Sequence, residues 1–138
     1  MKHSPKILIV DDDPVMAGSV QAILQDRGYD IEIMNNPPKA LDKINRAFYD
    51  IVILDVMMPE MTGFELLEAF DRENVDTFFI IMTGNASMES AVKAIRKGAS
   101  DFLKKPFDPD ELIIRVDSVL KLVEMNQRRI QAEEEQQK

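Results

Sequence analysis

Cysteine is absent from the 138 residues. That removes disulfides and thiol chemistry and agrees with a reducing, cytoplasmic setting. Histidine occurs once, as His3 in the N-terminal lead-in, so neither a histidine-rich metal site nor a Ser-His-Asp triad can be assembled. His3 reads as a solvated terminal residue. Positive charge is scarce: 17 Lys and Arg stand against 25 Asp and Glu, a formal net charge of −8. Phosphate backbones repel such a chain, which argues against direct nucleic-acid binding. The N-terminal MKHSPKILIVDDDP holds too short an apolar run for a signal peptide or a membrane span. Internal repeats and interior low-complexity linkers are also missing. The length fits one domain able to bury its own core.

Five short apolar runs are present: Lys6–Val10, Asp30–Met34, Asp50–Leu54, Phe78–Met82 and Asp101–Lys104. The first four are rich in Ile, Val or Phe at strand length; the last is assigned by context. The first and third are almost wholly apolar, as strands covered on both faces are. Between the runs lie stripes at helical spacing: Met16, Val20, Ile23 and Leu24; Leu41, Ile44 and Phe48; Phe64, Leu67 and Phe70; Met88, Ala91, Val92 and Ile95; Leu112, Val116, Val119, Leu120 and Val123. Asp13-Pro14 and Asp108-Pro109 carry cap-plus-proline helix starts, Thr62 and Glu65 have capping-box spacing, and Gly28 and Gly98 stand where helices end.

The order is (βα)5, an α/β fold. Alternating strands and helices imply a doubly wound, five-stranded parallel sheet with right-handed crossovers, and the flavodoxin-like order 2-1-3-4-5 is expected. Residues 1–124 form the domain. Residues 125–138 (MNQRRIQAEEEQQK) are a polar extension of the last helix, read equally as a solvated tail or as the start of a coiled-coil linker, since Val116, Val123 and Ile130 stand seven apart while Asn126 and Gln127 fill the seam.

Such a fold gathers the residues that follow its strands at one rim: Asp11, Asp12 and Asp13 after strand 1, Asp55 after strand 3, Thr83 after strand 4, and Lys105-Pro106 after strand 5. Bare carboxylates at such density repel; two like charges ~4 Å apart cost about 4 kcal/mol at an effective dielectric of 20. A hard divalent cation offsets this, and Mg²⁺ suits one or two carboxylates, waters and a substrate phosphate. Asp55 can then act as a nucleophile that forms an acyl phosphate. Lys105 can neutralise charge developing on the phosphoryl oxygens, and Thr83 can donate to one of them. Asp13 reads as a helix cap. Gly63 reads as a turn residue, and Met57, Met58 and Met61 as packing and loop anchoring. Taken singly, each residue has an ordinary structural explanation; the joint pattern is what points to phosphoryl chemistry.

VDDDP after strand 1, ILDVMMPEMTGFEL around Asp55, IIMTGNAS around Thr83 and DFLKKPF around Lys105 resemble the receiver domain of two-component response regulators, over roughly residues 5–124. The four motifs keep their order at spacings of 44, 28 and 22 residues from Asp11 to Asp55, Thr83 and Lys105. The resemblance implies that Asp55 is the phospho-acceptor and that the domain assists its own modification without being an enzyme of multiple turnover. It implies Mg²⁺ held directly by Asp12 and Asp55, mainly through water by Asp11, and by the backbone carbonyl of Met57. Lys105 pairs with the phosphoryl group, the Lys105-Pro106 bond is cis, and Thr83 and Phe102 form a switch pair. Phe102 stands where many receivers carry tyrosine, so the rotameric switch is kept and the hydroxyl is lost. Met57 and Asn85 lie where members tune access of water to the acyl phosphate.

The implied partner is a sensor histidine kinase or phosphotransfer protein, and the output face is helix 4, strand 5 and helix 5. The resemblance also leaves room for a homodimer through helix 5 or that face. TGNASMESAVKAIRKGASDFLKKPF resembles receivers of the nitrogen-regulator type, and the chain reads as a receiver excised from a larger regulator, with a stand-alone regulator as the alternative. Two other classes fit less well. An aspartyl-nucleophile phosphatase needs a D-x-D motif, but Val56 and Met57 follow Asp55. A flavin-binding module needs glycine in the phosphate-cradling loop, but DDDPVM after strand 1 has none.

Overall fold

Ile51–Asp55 and Lys6–Val10 set the centre of the molecule. All five residues of the first run are buried, and in the second only Lys6 is exposed. A strand apolar on both sides needs both faces of its sheet covered, as in a parallel sheet with helices on each face. The computed structural model, which describes residues 4–70, 76–84 and 88–136, places both runs there. The elements are β1 (Lys6–Val10), α1 (Pro14–Leu24), a 3-10 turn (Gln25–Arg27), β2 (Asp30–Met34), α2 (Pro37–Arg46), β3 (Ile51–Asp55), α3 (Gly63–Ala69), β4 (Phe78–Thr83), α4 (Met88–Arg96), β5 (Asp101–Lys104) and α5 (Pro109–Gln136). The sheet is parallel throughout, in the order β2-β1-β3-β4-β5. The (βα)5 expectation holds. β3 and β4 each end one residue later than the apolar runs suggest, at Asp55 and Thr83.

Strand side chains alternate between faces, and each face has its own core. Leu8, Val10, Val52, Leu54, Phe79 and Ile81 meet Ala40 and Ile44 of α2, Leu66 and Leu67 of α3, and Ala94 of α4. Ile7, Ile9, Ile51, Ile53, Ile80 and Met82 meet Ala17, Val20 and Leu24 of α1 and Leu112, Val116, Val119 and Val123 of α5. At ~1.5–3 kcal/mol for each fully buried large aliphatic side chain, these two layers fix the strand register and therefore the level at which each strand ends.

The helix starts obey capping chemistry. The Asp13 carboxylate accepts the Val15 N–H at 3.0 Å with Pro14 opening α1. Asn36 accepts the Lys39 N–H at 3.0 Å ahead of Pro37, and Thr62 and Glu65 close a reciprocal box. Gly28 and Gly98 follow helical turns with φ of 81° and 111°, the left-handed geometry that glycine supplies.

Two details differ from the periodicity. Phe48 lies past the end of α2 and is exposed, because the chain turns extended at Ala47. Val92 and Ile95 are exposed, while the small Ala94 packs on the sheet. The polar tail is helical: α5 runs unbroken to Gln136, with the Asn126 side-chain amide donating to Asp76 at 2.8 Å. His3, Asn85 and the side chains of Met88 and Ala91 lie outside the described residues. Among the described residues no helix is long and apolar enough to cross a membrane.

Candidate functional site

Parallel strands present all their carboxyl ends at one edge. β1 leads there into Asp11 and Asp12, β3 ends in Asp55, β4 ends in Thr83, and β5 leads into Lys105. Carboxylate oxygens of Asp11, Asp12 and Asp55 lie within 4.8 Å of one another. Asp11 and Asp55 are buried, at 1% and 5% exposure; Asp12 is the more open of the three. The Lys105 ammonium reaches into the cluster, its Nζ standing 3.1 Å from Asp55 Oδ1 and 3.3 Å from Asp11 Oδ2.

Each group is held by its own chain segment. The other Asp11 oxygen accepts the Asp13 N–H at 3.0 Å, bending the chain out of β1 toward the cap of α1. The Asp11 N–H donates to the Met34 carbonyl at 3.2 Å, and the Asp11 carbonyl accepts the Asn35 side-chain amide at 2.8 Å. The Val56 N–H donates to the Met82 carbonyl at 3.0 Å, carrying the β3–β4 ladder past Asp55. The Lys105 N–H donates to the Thr83 carbonyl at 2.7 Å, and the Lys105-Pro106 bond is cis. Thr83 is buried at 2% exposure. Phe102, on the neighbouring edge strand, is half-buried against the α2–α3–α4 core.

Burial first, and the Asp11 carboxylate second, push the Asp55 acid above its usual value. The Lys105 charge and hydrogen bond and the Met57 N–H pull it back in part. One lysine does not balance three acids. The donor set, hard oxygens in a small hollow with a net negative charge, fits a divalent cation such as Mg²⁺.

A family model described as the response regulator receiver domain matches residues 7–117. The chain belongs to the response regulator receiver family. The transcriptional regulatory protein ZraR of Klebsiella oxytoca is 38% identical over 114 residues, covering 83% of this chain and 26% of that protein. The nitrogen assimilation regulatory protein NtrX of Azorhizobium caulinodans is 34% identical over 121 residues, covering 86% and 27%. Among solved structures, the signal receiver domain of a Luxo repressor protein from Vibrio parahaemolyticus superposes with a TM-score of 0.84 at 32% identity, covering 90% of this chain and 95% of that one. The receiver thus spans between about a quarter and a half of the length of the curated relatives it matches.

The receiver brings Asp11, Asp12, Asp55 and Lys105 into one hollow, with Thr83 attached through its carbonyl. Met57 enters by its backbone N–H and is 66% exposed, whereas Met58 is the buried anchor. Gly63 does not serve a left-handed turn. A Cβ there would stand 2.6 Å from the Asp55 carbonyl oxygen and 3.1 Å from Val56 Cα, so its missing side chain lets α3 start against the end of β3. Asn35 was not singled out by the sequence. An asparagine between a strand and a helix is ordinary loop chemistry, and nothing in its spacing marks it as a partner of Asp11.

Proposed function

We propose that Asp55 accepts a phosphoryl group from the phosphohistidine of a cytoplasmic sensor kinase or phosphotransfer protein in a Mg²⁺-dependent reaction, and that the domain acts as a switch rather than a turnover enzyme. The observation that carries the reading is the Lys105 ammonium lying between Asp55 and Asp11 beside Asp12. A nucleophilic carboxylate, a fixed cation and further oxygen ligands share one hollow. Asp12, Asp55 and the Met57 carbonyl would hold the metal directly and Asp11 mainly through water. When bound, Mg²⁺ neutralises charge on the phosphoryl oxygens.

In the transfer, an Asp55 oxygen forms the new P–O bond as the P–N bond to the donor imidazole breaks. The imidazole nitrogen keeps the bonding pair and takes up a proton. Lys105 holds the phosphoryl oxygens in place of its present contact with Asp55. The added charge of about −1.5 to −2 draws the Thr83 hydroxyl toward the acceptor, Phe102 turns into the space released, and the α4–β5–α5 face (residues 87–124) changes its population of states. Exposed Ile114, Leu122 and Met125 on α5 support a homodimer through that helix, and a larger regulator is the proposed context of the domain.

The test is mass spectrometry after incubation with acetyl phosphate and Mg²⁺, with size exclusion before and after. One phosphoryl adduct on the wild type and none on Asp55→Ala is expected. Full labelling of Asp55→Ala would remove the acceptor assignment.

A further inference from the structure

Asp11 has every main-chain and side-chain polar group engaged. Its two carboxylate oxygens take the Asp13 N–H and the Lys105 ammonium. Its N–H is held by the Met34 carbonyl, and its carbonyl by the Asn35 amide. That carbonyl belongs to the peptide plane joining Asp11 to Asp12. A peptide unit is rigid, so fixing its oxygen fixes the direction in which the chain enters Asp12, the most open carboxylate of the cluster. The strand ladder does not perform this task, because β1 ends at Val10. Asn35 itself is anchored: the next residue, Asn36, caps α2, and Pro37 opens that helix.

We infer that Asn35 is a positioning residue for cation binding, clamping the Asp11–Asp12 peptide so that the Asp12 carboxylate faces Asp55. This inference rests on the metal-dependent reading of the acidic hollow. Without the amide donor, the Asp11–Asp12 peptide plane rocks between its two neighbours, which stay held by the Asp11 N–H to the Met34 carbonyl and the Asp13 N–H to the Asp11 carboxylate, and ordering Asp12 against the cation costs binding energy. Partners one shell out from a metal ligand typically change affinity ~10–100-fold. Asn35 is an exposed side chain, so the lower end applies, about tenfold.

The experiment titrates Mn²⁺, as a paramagnetic probe of the Mg²⁺ site, into wild type, Asn35→Ala, Asn35→Gln and Asp12→Asn, reading free Mn²⁺ by electron paramagnetic resonance. Thermal melting in EDTA is run alongside. Asn35→Ala should bind about tenfold more weakly while melting in EDTA close to wild type, and Asn35→Gln, which restores a donor on a longer arm, should recover most of the affinity. If Asn35→Ala does not stay folded at the assay temperature, Asn35→Ser replaces it under the same criterion. Wild-type affinity in a variant without the amide overturns the inference alone. A wild type with no saturable binding sensitive to Asp12→Asn overturns the proposed metal site, and the inference with it.

Discussion

Lys105 Nζ sits 3.1 Å from Asp55 Oδ1, across the 50 residues that separate them in sequence, while also 3.3 Å from Asp11. The lysine is therefore the cation that makes an otherwise repulsive cluster tolerable before any metal arrives. Replacing it with alanine leaves two buried carboxylates facing each other, and removing one partner of a buried ionic group is costly. Lys105→Ala should melt lower than wild type in EDTA, recover part of the loss in Mg²⁺, and label with acetyl phosphate at least tenfold more slowly. A variant that labels at the wild-type rate would show that Lys105 does not handle the phosphoryl group.

Asp55 gives the opposite sign. Its acid is raised, chiefly by burial and then by Asp11, so the charged form is disfavoured by the fold. Linkage then dictates that protonation favours the native state: the group's contribution is most favourable below the unfolded carboxylate value and declines as pH rises through the higher folded one. Asp55→Asn should therefore melt higher than wild type at pH 7 without metal. The rise is read by differential scanning calorimetry in EDTA. The gap should narrow as pH falls through the carboxylate range. A constant gap from pH 7 to pH 4 would mean that packing, not charge, sets it.

Divalent cations should stabilise the native chain by mass action. A ligand at 100 times its Kd adds about 2.7 kcal/mol when it binds only the folded state. Differential scanning calorimetry in EDTA and in saturating Mg²⁺ should show the rise in wild type and its loss in Asp12→Asn, since Asp12 is the open member of the cluster. An undiminished rise in Asp12→Asn would place the cation elsewhere.

The architecture was legible because the signals were redundant. β1 and β3 declare two-sided burial by being apolar throughout, and Asp13, Thr62 and Gly28 each mark a helix boundary by a local hydrogen bond or a backbone conformation that only a few residue types supply. Asp11, Asp55, Thr83 and Lys105 were placed at the rim because the strand ends in a parallel sheet share one edge. What stayed hidden depends on through-space closeness without a sequence period. Ala94, rather than Val92 or Ile95, is the α4 residue buried in the core. The Asn35 side-chain amide takes a main-chain carbonyl, and Met57 acts by its own N–H; main-chain groups, which every residue possesses, leave no mark in a sequence pattern. Gly63 resembled a turn residue because glycine has several uses, and only coordinates distinguish a positive φ from a close approach.

Gly63 offers the sharpest test of how the acceptor is positioned. The atoms that a Cβ would meet, the Asp55 carbonyl oxygen at 2.6 Å and Val56 Cα at 3.1 Å, are both backbone, so no side-chain rotation relieves the contact. Either α3 backs away, giving up the 3.0 Å hydrogen bond from the Gly63 N–H to the Val56 carbonyl, or the end of β3 shifts and carries Asp55 with it. Overpacking of this kind costs ~1–3 kcal/mol. Gly63→Ala should lose about that much in urea unfolding and label more slowly with acetyl phosphate, because the acceptor moves relative to Lys105. The control is Gly18→Ala: Gly18 lies inside α1, and a Cβ there would meet nothing within 4 Å, so alanine should stabilise by ~0.5–1 kcal/mol through its better helix propensity. Equal stability and labelling in Gly63→Ala and wild type would show that the β3–α3 junction has slack, and that the acceptor is not held by this contact.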